Sequence, residues 1–161
     1  MVSTKCTRSV KKILLRLFAI LILIQFIQPV RNHGAQVVLN DISNVIAVPD
    51  NIRGILKKAC YDCHSEETVY PWYANIQPLN WFLNNHIQKG KSELNFSEFR
   101  MYSTRKQQNK LSAIENSFND NSMPLSSYTI VHRRSVLSSE EKALLRNWIQ
   151  SSKDSLIRKN F

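Results

Sequence analysis

The stretch NIRGILKKACYDCH, residues 51–64, decides how the chain is read. Ile52, Ile55, Leu56 and Ala59 recur at helical spacing, and Pro49 and Asp50 stand ahead of them, with Asp50 the expected N-cap. The spacing predicts a short helix whose apolar face leads straight into Cys60, Cys63 and His64. Only three cysteines occur in 161 residues, and two of them stand here beside a histidine.

Outward from this stretch the pattern stays helical. Glycine occurs three times, and 43% of residues are hydrophobic, enough for a packed core. A second helix is predicted over 79–89, with Leu79, Phe82, Leu83, His86 and Ile87 on one stripe and Gly90 as its terminator. A third covers 105–118, with Leu111, Ile114 and Phe118 on one face. The last opens in LSSEEKALLRNWIQ (137–150) with a capping box, Ser138 to Glu141, and an apolar stripe of Leu144, Leu145, Trp148 and Ile149. Residues 65–78 and the polar run NDNSMPLSSY (119–128) read as irregular connections. The expected fold is all-α, with no internal repeat and no low-complexity segment. The domain limits are 1–30 for an N-terminal segment, 31–48 for a tether, 49–152 for the helical domain and 153–161 for a tail.

The formal net charge of +10 is unevenly placed. Residues 1–31 hold Lys5, Arg8, Lys11, Lys12, Arg16 and Arg31 and no acid, leaving +4 for the rest, so nucleic acid is not the expected partner. In VKKILLRLFAILILIQFIQPV (10–30) a basic stretch precedes an apolar run. Counted from Leu17 to Ile27 the run suits a signal-peptide core; if Arg16 reaches the interface, Ile13 to Val30 is long enough to span a bilayer. No small-x-small cleavage site follows at once, which favours an uncleaved transmembrane anchor over a cleaved signal. Either way the remainder is exported, to the periplasm. Cys6 precedes the run and reads as an ordinary thiol, and His33 falls in the tether.

Three chemistries use a Cys-x-x-Cys-His cluster. A redox dithiol sits at the start of a helix, where the dipole lowers a thiol pKa; here the pair follows a helix and no βαβ pattern surrounds it. Zinc needs a fourth ligand from His86 or His132, and adjacent Cys63 and His64 do not easily reach one tetrahedral ion. Covalent haem uses the spacing directly: two thiols reach the two vinyl groups, and the neighbouring imidazole lies under the iron. Haem c on Cys60 and Cys63, with His64 as a metal ligand, is the expected cofactor.

A second axial ligand is sought among Met101, Met123, His86 and His132. Met123, stiffened by Pro124 in a loop before the last helix, is the first choice, and Met/His ligation raises a reduction potential. His86 on its apolar stripe and His132 in YTIVHRRS read first as core and surface residues, and Met101 ranks last. Tyr70, Trp72, Tyr73, Trp81 and Phe82 are expected to wall the pocket. Lys57, Lys58, Lys89 and Lys91 would ring an exposed edge for an acidic partner.

The order of a helix ending in CYDCH, a later MP loop and a closing LSSEEKALLRNWI helix resembles a class I cytochrome c domain. More specifically, residues 58–99, with YPWY, HIQKGK and NFSEF, followed by MPLSSYTIVH (123–132), resemble the small haem-binding domain family of exported bacterial proteins. The resemblance covers about residues 48–150. It implies an all-α, cytochrome c-like domain around one covalent haem, with Met123 opposite His64. The two histidines of HIQKGK and YTIVHRR depart from an ordinary small cytochrome c and leave bis-histidine ligation open. The expectation is a membrane-anchored electron carrier, not an enzyme, serving an unidentified redox protein. A haem-based sensor or accessory haem domain with an exchangeable sixth ligand is the alternative.

Overall fold

A computed structural model of the chain describes residues 3–32 and 39–159, with side chains from residue 8 onward. His33 and most of the first half of the expected tether lie outside the described residues. The chain is helical, with no strand among the described residues. It divides into two compact units, one of residues 32–69 and 87–161, the other of residues 1–31 and 70–86.

The larger unit is built on α2 (Asp50–Ala59), α5 (Thr104–Asn119) and α7 (Ser139–Arg158), with α5 and α2 both packing on α7. Each follows its sequence period. Ile52, Ile55 and Leu56 bury one face of α2; Leu111, Ile114 and Phe118 that of α5; Leu145, Trp148 and Ile149 that of α7. Two starts are set by side-chain caps. Ser103 Oγ accepts the Lys106 N–H, and Ser138 and Glu141 close the expected capping box. At α2 the cap is Pro49, whose carbonyl accepts the Arg53 N–H at 2.8 Å. Asp50 is therefore the first helical residue and not the N-cap, and its carboxylate sits at the positive end of the helix.

Two short 3-10 segments complete the core. Ile42–Asn44, capped by Asp41, packs on Phe96–Met101, capped by Asn95, and the Arg100 N–H donates to the Asn40 carbonyl at 2.9 Å. Ile42, Phe96 and Phe99 are completely buried, and Tyr61 stacks on Phe96 at 5.1 Å. The second half of the expected tether thus supplies core residues, and the Trp148 indole donates to the Ala47 carbonyl across 2.8 Å. Beyond position 152 α7 continues, with Leu156 buried.

Helix α4 (Leu79–Glu93) runs three residues past Gly90, which does not end it. A Cβ on Gly90 would stand 2.5 Å from the Cys63 carbonyl oxygen. The glycine lets two backbones approach, a demand that overrides its poor helix propensity.

The smaller unit joins α1 (Ser3–Ile24) and the chain after it to residues 70–86. Gln25 Oε1 accepts the Gln77 N–H, Gln28 Oε1 accepts from the Asn80 amide, and the Trp81 indole donates to the Ile27 carbonyl. The expected transmembrane helix is not found: no helix among the described residues is long and apolar enough to cross a membrane. The reason lies in where α1 begins and ends. It stops at Ile24, and every eighteen-residue stretch within it includes Arg8, Lys11, Lys12 and Arg16.

Candidate haem site

The Cys-x-x-Cys-His motif forms where α2 ends. The Cys60 N–H closes α2 on the Leu56 carbonyl at 2.8 Å; the Cys60 carbonyl then accepts from Cys63 at 3.2 Å and His64 at 3.0 Å, winding the single turn α3 (Tyr61–His64). Tyr61 points into the core, and Cys60 and His64 line a cleft of about 170 Å³. Its other walls are largely apolar, from Ala59, Leu94, Phe96, Ala113 and Ile114, with Lys110 and Glu93 also lining it.

His64 Nδ1 lies 3.0 Å from the Leu94 carbonyl. Donation of the Nδ1 proton there leaves the Nε2 lone pair available to a metal, the arrangement that fixes a ligating imidazole. Burial holds the His64 pKa below its ordinary value, outweighing the opposing backbone bonds to Leu94 and Gly90, so the neutral, ligating form is favoured.

Burial acts on both thiols. Burial pushes Cys60 up to about 12, with Cys63 adding to the rise. Burial pushes Cys63 up to about 11, with the Asp62 carboxylate adding. Both cysteines are free thiols, and a redox-active pair needs the opposite shift. No group of three His, Cys, Asp or Glu side chains placed to hold a metal ion occurs among the described residues. A pair of protonated thiols and a neutral imidazole beside an apolar cleft fits a haem, whose vinyl groups take thiols and whose iron takes the imidazole.

Met123 also lines the cleft, so the structure brings it to the same space as Cys60 and His64. The loop after α5 achieves this by folding back: the Met123 N–H donates to the Ser117 carbonyl at 3.1 Å, and Asn121 adopts φ 58°, a left-handed conformation that asparagine tolerates. The other ligand candidates do not line it. Met101 is 69% exposed. His86 belongs to the smaller unit, with Nδ1 2.8 Å from the Phe82 carbonyl of its own helix. His132 stacks on Tyr128 at 4.3 Å.

Residues outside the expected ligand set brace this site. Glu66, just past the motif, accepts from Lys91 Nζ at 2.9 Å and from the Asn95 amide at 2.9 Å, and its own N–H donates to Ser97 Oγ. The HIQKGK and NFSEF motifs thus hold the loop after His64. Asp62 accepts the Tyr128 hydroxyl proton and the Val69 N–H, so the tyrosine of MPLSSYTIVH is tied to the centre of the Cys-x-x-Cys turn. Burial, reinforced by Asp62, raises the Tyr128 pKa and keeps that hydroxyl a donor.

One expectation changes. The aromatic residues of YPWY with Trp81 and Phe82 do not line the cleft; they belong to the smaller unit, and Trp72 is 74% exposed. Three of the four lysines expected to ring an exposed edge are already paired, Lys57 with Glu67, Lys58 with Glu141 and Lys91 with Glu66.

Comparison with curated proteins and with solved structures returned no significant match. The family model described as a haem-binding domain matches residues 19–151, a span that contains the cleft and every residue bracing it, and the chain belongs to this haem-binding domain family.

Proposed function

We propose that this haem-binding protein is a c-type cytochrome that carries one electron at a time in the periplasm, without bond chemistry on a substrate. The observation that supports this reading is the meeting of Cys60, His64 and Met123 at one cleft, with Cys63 in the same turn as His64. Cys60 and Cys63 would hold the haem covalently through their sulfurs, in thioether links whose formation from thiol and vinyl would be redox-neutral. His64 would hold the iron through Nε2 while the Leu94 carbonyl orients its ring, and Met123, on the same cleft, would supply a further ligand. When bound, the haem supplies an iron that cycles between ferrous and ferric. Apolar Leu94, Phe96 and Ile114 exclude water from it, which tunes potential. The domain would serve a redox protein, and the basic, apolar N-terminal segment would direct export and hold the chain at the inner membrane.

The test is a haem stain after denaturing electrophoresis, together with a pyridine haemochrome spectrum, on protein made with a cytochrome c maturation system. Stain that survives denaturation and a spectrum of saturated vinyls are expected. Covalent haem persisting in a Cys60→Ala, Cys63→Ala variant would sink the assignment. Met123→Ala should abolish the thioether-to-iron charge-transfer band of the ferric form. An exchangeable sixth position that takes up carbon monoxide in the unaltered protein would instead favour a haem-based sensor.

A further inference from the structure

The smaller unit contains no acidic residue. Neither 1–31 nor 70–86 holds an Asp or Glu, so all twelve acids lie in the other unit, while Lys5, Arg8, Lys11, Lys12, Arg16 and Arg31 lie in this one. Arg8, Lys12 and Arg16 recur every four residues along α1, a cationic stripe on a helix whose apolar side chains are themselves exposed. Residues 70–86 add a second apolar surface: Trp72 is 74% exposed, Phe82 69%, Leu79 49% and Ile76 42%. Ile76, Leu79 and Phe82 follow one another at intervals of three. The Trp81 indole, bonded to the Ile27 carbonyl, ties this surface to the end of the N-terminal apolar run.

We propose that the segment Tyr70–Phe82 is a lipid-contacting platform, with Trp72, Ile76, Leu79 and Phe82 entering the headgroup–acyl boundary of an anionic bilayer alongside α1. The proposal rests on the reading that the N-terminal segment meets a membrane, and adds a second, distant stretch of chain to that contact. Exposed apolar surface of this extent needs a cover, and tryptophan settles where hydrocarbon meets headgroup. Charge selects the cover. A second copy would bring together two units of like charge, whereas anionic headgroups complement six cations with no acid to repel them.

The test uses the full-length haem-loaded chain and vesicles of phosphatidylcholine with phosphatidylglycerol. Flotation reports attachment. The ratio of tryptophan emission in vesicles brominated near the headgroup to that in unbrominated vesicles reports insertion, and taking the ratio cancels quenching by the haem. The chain should float with anionic vesicles and much less with pure phosphatidylcholine. Bromine should quench the emission, and Trp72→Ala should remove a large part of the quenchable signal, because Trp148 is buried in the other unit. A Trp72→Ala, Phe82→Ala variant should partition about a hundredfold less strongly, the lower end of the cost of withdrawing two large apolar side chains from lipid. Flotation with quenching unchanged by Trp72→Ala would overturn the platform while leaving attachment through α1 standing. Failure to float would overturn both. A lipid-free, concentration-dependent dimer that shields Trp72 would overturn it in favour of a second copy.

Discussion

Gly90 and Gly54 are both helical, so the same substitution at the two positions separates a close backbone approach from helix propensity. Around Gly54 in α2 a new Cβ meets nothing within 4 Å. Gly54→Ala should therefore stabilise the protein by about 1 kcal/mol, the propensity difference alone. At Gly90 the new Cβ falls 2.5 Å from the Cys63 carbonyl oxygen, 3.1 Å from its carbon and 3.2 Å from its Cβ. A carbon–oxygen contact settles at about 3.3 Å, so α4 or the Cys-x-x-Cys turn must retreat by roughly 0.8 Å. None of these three atoms is the far end of a flexible side chain, so relief requires moving backbone, at about 1–3 kcal/mol for overpacking. The propensity gain is common to both variants. Their difference therefore isolates the clash: Gly90→Ala should be less stable than Gly54→Ala by about 1–3 kcal/mol. Urea unfolding of the haem-free chain, followed by its helical circular dichroism, measures it directly. Equal stabilisation by the two substitutions would show that no such approach exists and that Gly90 is an ordinary helical glycine.

Lys91→Met should destabilise the larger unit by about 1–3 kcal/mol, because the half-buried Glu66 carboxylate loses its cation. Lys57→Met, which removes a well-exposed partner of Glu67, should cost under about 0.5 kcal/mol in the same urea assay. Tyr128→Phe removes the only side-chain bond between α6 (Ser126–Val131) and Asp62 given by the structure, and should cost about 1–2 kcal/mol by thermal unfolding; no loss would mean that the bond is not formed. Glu141 supplies a pH dependence. Burial pushes its carboxyl up, but Lys58 and the Ser138 N–H outweigh burial and hold it below its ordinary 4.5. A depressed folded value means that its contribution is complete above 4.5 and is lost as pH falls through the folded value. The stability gap between the unaltered chain and Glu141→Gln should therefore narrow in acid, and a gap that widened there would reverse the sign.

The helices were legible because each carries its own local signal: the three-and-four spacing of Ile52, Ile55 and Leu56, the capping box at Ser138, and the stripe of Leu145, Trp148 and Ile149, although Leu144, expected on that stripe, is 42% exposed. The Cys-x-x-Cys-His turn stood out for a similar reason, since its residues are neighbours in sequence and their spacing is local. Non-local demands were not. Gly90 looks like a terminator until the Cys63 carbonyl is seen against it. Ile42 and Ile46 look like linker residues until they are found in the core, because a segment with no helical period gives no sign of which partner it packs on. Trp72 and Phe82 suit a cofactor wall as well as they suit a surface, and hydrophobicity alone does not say which. Met123 was found through the proline beside it, but its return to the cleft depends on the Ser117 carbonyl, which carries no mark in sequence.

The bonds that hold the Cys-x-x-Cys-His turn in place come late in the chain. His64 leans on Leu94, thirty residues onward, and Asp62 on Tyr128, sixty-six residues onward. A chain delivered N-terminus first therefore presents both cysteines before either support exists. Until then the thiols titrate near their ordinary 9.0, and only closure of the fold carries them to about 12 and 11. The interval between emergence and folding is thus the period in which sulfur is most readily modified. Folding ends that interval, because it buries both sulfurs.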